Sequence, residues 1–108
     1  MSDLPNRLPP FNLDAERAVL GCLLLEGARA VEALDLPAEA FYLEGHRCLY
    51  ATMRALAEHT GVVDLLTVQS ELTEVGLLDD VGGVPHLELC VREASIAVHL
   101  PRYAVRIA

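Results

Sequence analysis

Lysine is absent from the sequence. All eight basic residues are Arg, and sixteen Asp and Glu oppose them for a net charge of −8. Binding to a phosphate backbone draws its affinity from clustered Lys and Arg, so no direct nucleic-acid binding is expected, and a neutral or basic protein partner is favoured. Tryptophan is also absent and only 5% of residues are aromatic, although 53% are hydrophobic. The core must therefore be built of Leu, Val and Ala, a helix-prone inventory. No run of 18 apolar residues occurs, and "MSDLPNRLPP" lacks the charged-then-apolar layout of a signal peptide; the expected location is cytoplasmic, with no membrane partner. A phosphate-binding loop is missing too, because "VGGVP" is not followed by the Lys and Ser or Thr that would hold phosphates and magnesium. Cys22, Cys48 and Cys90 are odd in number and sit in apolar helical patterns, where reduced Cys acts as a small hydrophobe. Disulfides are not expected.

What remains is apolar periodicity in a chain of 108 residues, long enough for one core. The pattern predicts an all-α fold, a compact orthogonal bundle of about six helices. Residues 1–11 hold three of the six prolines and read as an extended or disordered lead-in, and 12–108 as the helical domain. Asn12 can cap a first helix over about Leu13–Leu25, with Asp14 and Glu16 in its positive first turn and Gly27 after its end. A short helix over about Arg29–Leu34 follows, then a helical turn with Pro37 at its first position. Gly45 breaks the chain before a helix that places Leu49, Met53 and Leu56 on one stripe and ends before Gly61. Asp64 caps the next helix, whose stripe is Leu65, Val68, Leu72 and Val75, with Thr67, Ser70, Glu71 and Glu74 facing outward. A two-glycine turn leads to a helix over about Pro85–Ala94. The last segment puts Leu100, Tyr103, Ala104 and Ile107 on one face, with Pro101 tolerated in its first turn. Because that stripe still runs at Ala108 without a terminating Gly or polar tail, the natural protein is expected to continue.

The first helix poses a question. Ala18 to Leu25 are eight residues without a charge, and Val19, Leu20, Cys22, Leu23 and Leu24 cover more than half the helical circumference. Either it runs through the middle of the bundle, or its second wall, Ala18, Gly21 and Leu25, meets another helix or a second subunit.

Candidate chemistry is sparse. His86 and Cys90, four apart on one helix, form the best metal-ligating pair, but zinc needs three or four converging ligands. His46 and Cys48, two apart, point different ways, so no metal site is expected. The Asp79–Asp80 pair lies in a turn, where carboxylates solvate a loop. No catalytic residue is assigned. A helix-turn-helix over residues 64 to 94 is disfavoured because Glu71 and Glu74 stand where a DNA reader carries Arg, Lys, Asn or Gln.

Four segments in order, "PPFNLDAERAVLGCLLLEG", "FYLEGHRCLYATMRAL", "VDLLTVQSELTEVGLLDDVGGVPHLELC" and "VHLPRYAVRIA", resemble the N-terminal domain of the bacterial replicative DNA helicase, the DnaB family, over about nine-tenths of the chain. The resemblance implies a non-catalytic helical head, joined in the full protein to a motor domain that binds ATP and Mg. It implies assembly of six heads into a collar, docking of the primase C-terminal domain and, in some bacteria, of a helicase loader. Carried over by position, the primase-facing residues are Thr67, Ser70, Glu71 and Glu74 together with Leu100, Tyr103 and Ile107. The sequence departs from the pattern at His86, where the family usually has Tyr, and at Pro101. A stand-alone helical adaptor that binds primase or loader without a motor is the alternative reading.

Overall fold

Asn12 does cap the first helix: its side-chain oxygen accepts from the Ala15 N–H at 3.1 Å. The computed structural model describes residues 12–97, so the expected lead-in and the stripe of the last segment lie outside the described residues. From that cap α1 runs over Leu13–Glu26, α2 over Ala28–Leu34, α3 over Glu44–His59, α4 over Leu65–Glu74 and α5 over Gly83–Ala97. One-turn 3-10 helices at Ala38–Ala40 and Asp79–Val81 join α2 to α3 and α4 to α5. The described residues are all-helical, with no strand among them and five α-helices. The sixth expected helix falls in the undescribed segment.

The uncharged character of α1 has an internal cause. Nine of its fourteen residues are buried, from Ala15 and Glu16 through Leu24. It packs most extensively along α5 and also meets α2 and α3. A helix with neighbours on several sides needs apolar residues on several sides. The α5 contact is very close at Gly21: a Cβ built there would lie 1.9 Å from the Cys90 carbonyl oxygen and 2.9 Å from the Ala94 Cβ. Only a residue without a side chain lets the two backbones meet at that distance.

The core is one cluster in which Leu20 and Leu23 of α1, Leu49, Tyr50 and Met53 of α3, Leu72 of α4 and Leu87 of α5 are all fully buried. Phe41 stacks obliquely on Tyr50, with ring centroids 4.9 Å apart. The Tyr50 hydroxyl donates to the Leu36 carbonyl at 2.7 Å and accepts from the Leu36 N–H at 3.2 Å. This ties the α2–α3 connection to the core and satisfies a polar tip that burial would otherwise leave costly.

Several expected boundaries move. Gly45 does not break the chain before α3 but sits in its first turn, where a Cβ would come within 3.0 Å of the Asp80 carbonyl oxygen; the glycine serves a close approach. Pro37 precedes its 3-10 turn instead of opening it. Helix α5 begins two residues before Pro85 and runs three past Ala94. Val75 is not part of the buried stripe of α4: it is the C-terminal cap residue and half exposed.

Candidate functional site

Helix α4 is anchored by its start. The Thr67 N–H donates to Asp64 Oδ1 at 2.8 Å, and the Asp64 N–H donates to Thr67 Oγ1 at 3.0 Å, a reciprocal capping box. Val68 and Leu72 are its fully buried residues. The opposite side is open: Leu66 is 70% exposed, Ser70 and Glu74 are exposed one and two turns further along the same face, and Val62 just before the helix is also exposed. An uncovered leucine flanked by a hydroxyl and carboxylates has the make-up of a docking surface with an apolar anchor and a polar rim.

The residues expected to face a partner therefore divide. Ser70 and Glu74 lie on the open face, and Glu71 is partly buried. The Thr67 hydroxyl is committed to the cap. Leu100, Tyr103 and Ile107 lie outside the described residues. Of the wall considered for a second subunit, Ala18 and Gly21 are buried, with Gly21 against α5. Gly21 thus meets another helix of the same chain, one of the two neighbours expected for that wall, and Ala18 is buried beside it. Leu25, 58% exposed, is the one still open to solvent. Leu66 is absent from the expected surface because the stripe through Leu65, Val68 and Leu72 does not by itself say how exposed the adjoining leucine is left.

A second constellation lies inside the fold. Glu16 of α1 is fully buried and His46 of α3 is 1% exposed. Glu16 Oε1 accepts from His46 Nδ1–H at 2.7 Å, and Glu16 Oε2 accepts from the Tyr42 N–H. With that tautomer, His46 Nε2 accepts from the Nε2–H of His86 on α5, 2.9 Å away. The two imidazoles stack at 5.1 Å, and the fully buried Cys90 completes the group: the ligand atoms of His46, His86 and Cys90 all lie within 4.8 Å of one another. The expected His86–Cys90 pair thus gains a third member from another helix, which spacing along one helix does not show. By type and place Glu16 suits the positive first turn of α1. Its position three, four and seven residues before Val19, Leu20 and Leu23 places it on the buried stripe, and that spacing was the available signal.

A thiol beside imidazoles suggests a nucleophile, but the electrostatics run the other way. Burial pushes the Cys90 pKa up to about 12, which keeps the free thiol protonated, and the residue is fully buried behind the partly exposed His86. Burial, followed by the neighbouring His46 and Arg17, lowers the His86 pKa and favours the neutral ring. Arg17 is itself engaged, with an ion pair to Asp14 and a 3.1 Å contact to Glu93 of α5. Elsewhere, a shallow depression of about 270 Å³ is lined by Val31, Glu32, Asp35, Arg54, Ala57 and Glu58; it contains carboxylates and one Arg but no nucleophile. Among the described residues no helix is long and apolar enough to cross a membrane, and the three cysteines are free thiols.

Comparison with known proteins agrees with this architecture. The family model for the DnaB-like helicase N terminal domain matches residues 8–108. The chain is 39% identical over 106 residues to the replicative DNA helicase DnaC of Bacillus subtilis (strain 168), covering 96% of this chain and 23% of that protein. It is 41% identical over 93 residues to the replicative DNA helicase DnaB of Rhodothermus marinus, covering 84% of this chain and 10% of that one. The crystal structure of the N-terminal domain of DnaB helicase from Mycobacterium tuberculosis matches with a TM-score of 0.79 at 32% identity, over 92% of this chain and 72% of that one. The chain thus spans less than a quarter of the length of these helicases. With a family match across nearly its whole length and the same helical fold in a solved relative, the chain belongs to the DnaB-like helicase N-terminal domain family.

Proposed function

We propose that this domain is a non-catalytic assembly and docking head of a replicative helicase, which receives the C-terminal domain of primase and contributes to a ring of six subunits. The observation that carries the reading is the open face of α4. Leu66 offers an apolar anchor at 70% exposure, and Ser70 and Glu74 continue the same face. Glu71 and Thr67 border it, and Leu100, Tyr103 and Ile107 are assigned to the same partner. Acidic rim residues steer a basic or neutral partner and orient it more than they hold it. Several copies in one ring multiply a modest affinity. Leu25 is the exposed residue assigned to a neighbouring subunit, and a helicase loader is a further partner where one is used. ATP and Mg belong to the motor domain of the full-length helicase. The whole assembly works in the cytoplasm.

Amide chemical-shift mapping tests the docking face. Adding the unlabelled primase C-terminal domain to the isotopically labelled chain should shift the amides of residues 62 to 74 first. Shifts confined to α2 and α3, with α4 unmoved, would place the surface elsewhere.

A further inference from the structure

We propose that His46, His86 and Cys90 form a binding site for a zinc-class transition-metal ion, with Glu16 orienting one of the ligands and a water molecule taking the fourth position. The argument begins with ligand chemistry. Two imidazoles and a thiol are a borderline-soft set that suits Zn²⁺ and its spectroscopic substitute Co²⁺, and discriminates against Mg²⁺ and Ca²⁺, which take oxygen ligands. Three protein ligands with an open fourth position is an established zinc arrangement.

Geometry favours it as well. The three ligand atoms fall within 4.8 Å of one another although they come from two helices and span 45 positions of sequence, from His46 to Cys90. Around tetrahedral zinc, bonds of about 2.0–2.1 Å to nitrogen require about 3.3 Å between ligand nitrogens. His46 Nε2 and His86 Nε2 stand 2.9 Å apart. A few tenths of an ångström of ring movement is enough, and the partly exposed His86 can make it while the buried His46 stays fixed.

The surroundings of His46 are those of a metal ligand. A ligating His usually donates its other ring N–H to a carboxylate, which fixes the tautomer and the ring orientation. Glu16 does so here at 2.7 Å, from a position of complete burial, and its second oxygen is fixed by the Tyr42 N–H. The Nε2 lone pair of His46 is thereby aimed at His86 and Cys90. Binding is balanced by two proton movements: the Cys90 thiol releases its proton to solvent, and His86 moves its N–H from Nε2 to Nδ1 so that Nε2 can coordinate. No redox step is involved. The bound ion would fasten α3 to α5 above the Glu16 carboxylate of α1, joining three helices at one point.

The test is titration of the metal-free, reduced chain with Co²⁺ and then Zn²⁺. The expected result is one ion per chain, visible d–d bands of a tetrahedral site, a near-ultraviolet sulfur-to-cobalt charge-transfer band, and displacement of Co²⁺ by Zn²⁺ with a rise in Tm. Cys90→Ala should abolish the charge-transfer band. His86→Gln keeps a donor for His46 but removes a ligand, and should weaken binding by more than about 100-fold, the upper end of what loss of an outer-shell partner costs. Replacing the other two thiols, Cys22→Ala with Cys48→Ala, should leave the spectrum unchanged. Circular dichroism establishes that each variant is folded. Absence of stoichiometric binding by the folded unmodified chain would overturn the proposal, and so would a charge-transfer band that survives Cys90→Ala or moves with Cys48.

Discussion

A methyl group on Gly21 would sit 1.9 Å from the Cys90 carbonyl oxygen, a backbone atom that cannot turn aside. Gly21→Ala must therefore force α1 and α5 apart, and because these are the most extensively packed helices of the fold, the expected destabilisation is at the exceptional end, about 4 kcal/mol or more. Urea unfolding measures it, and a loss below about 1 kcal/mol would mean that the two helices separate cheaply. Tyr50 offers a gentler probe. Tyr50→Phe removes the partner of the Leu36 N–H and one of two donors to the Leu36 carbonyl, the other being Arg54 at 2.9 Å. A loss of about 1–3 kcal/mol is expected from the orphaned amide. Burial also raises the Tyr50 pKa above its ordinary 10.0, against the opposing pull of the Leu36 hydrogen bond and Arg54. The folded chain then keeps a proton that the unfolded chain gives up, so stability present below that value is lost as pH rises past it. Ultraviolet titration should show one tyrosine ionising only together with unfolding in the wild type, and this step should vanish in Tyr50→Phe. At this scale the sequence was legible for caps and stripes and illegible for pairings. Asn12 and Asp64 cap helices as their types dictate. Nothing in the spacing brings His46 to His86, because that contact is decided by how α3 and α5 pack.

Helices were legible because each carries its own apolar period, and their ends less so because ends depend on neighbours. Helix α3 starts before the glycine expected to interrupt it, since that glycine is needed where the Asp80 backbone comes close. The α4 stripe stops one residue short, with Val75 turned out as a cap. Helix α4 is held mainly against α3 and buries only Val68 and Leu72 completely, so its capping box matters more than a cap on a central helix. Asp64→Ala should cost about 1 kcal/mol. The effect should be local: hydrogen exchange in residues 65 to 74 accelerates while α1 and α5 keep their protection. Uniform acceleration across all helices would instead make α4 part of the global folding unit. Thr67→Val, which deletes the other half of the box, should show the same regional pattern.

Among the described residues the fold buries one mainly apolar core around the Glu16–His46 pair, and the chain carries a net charge of −8 with no Lys. That charge balance is unsuited to a phosphate backbone, and the order of four sequence segments identifies the family because order and spacing jointly are far more restrictive than any one segment. The open face of α4 was half legible. Ser70 and Glu74 follow from the helical wheel of α4, whereas Leu66 required the fold, since only the packing of α4 on α3 reveals which leucine of the Leu65–Leu66 pair is left uncovered. Sedimentation velocity of the chain with the primase C-terminal domain tests the central claim most directly, using Leu66→Asp as the matched control. A faster-sedimenting complex that forms with the unmodified chain, and is lost in a Leu66→Asp variant with an unchanged circular dichroism spectrum, is the predicted result. Failure of the unmodified chain to bind a primase domain that still binds full-length helicase, or a complex indifferent to Leu66→Asp, would contradict it.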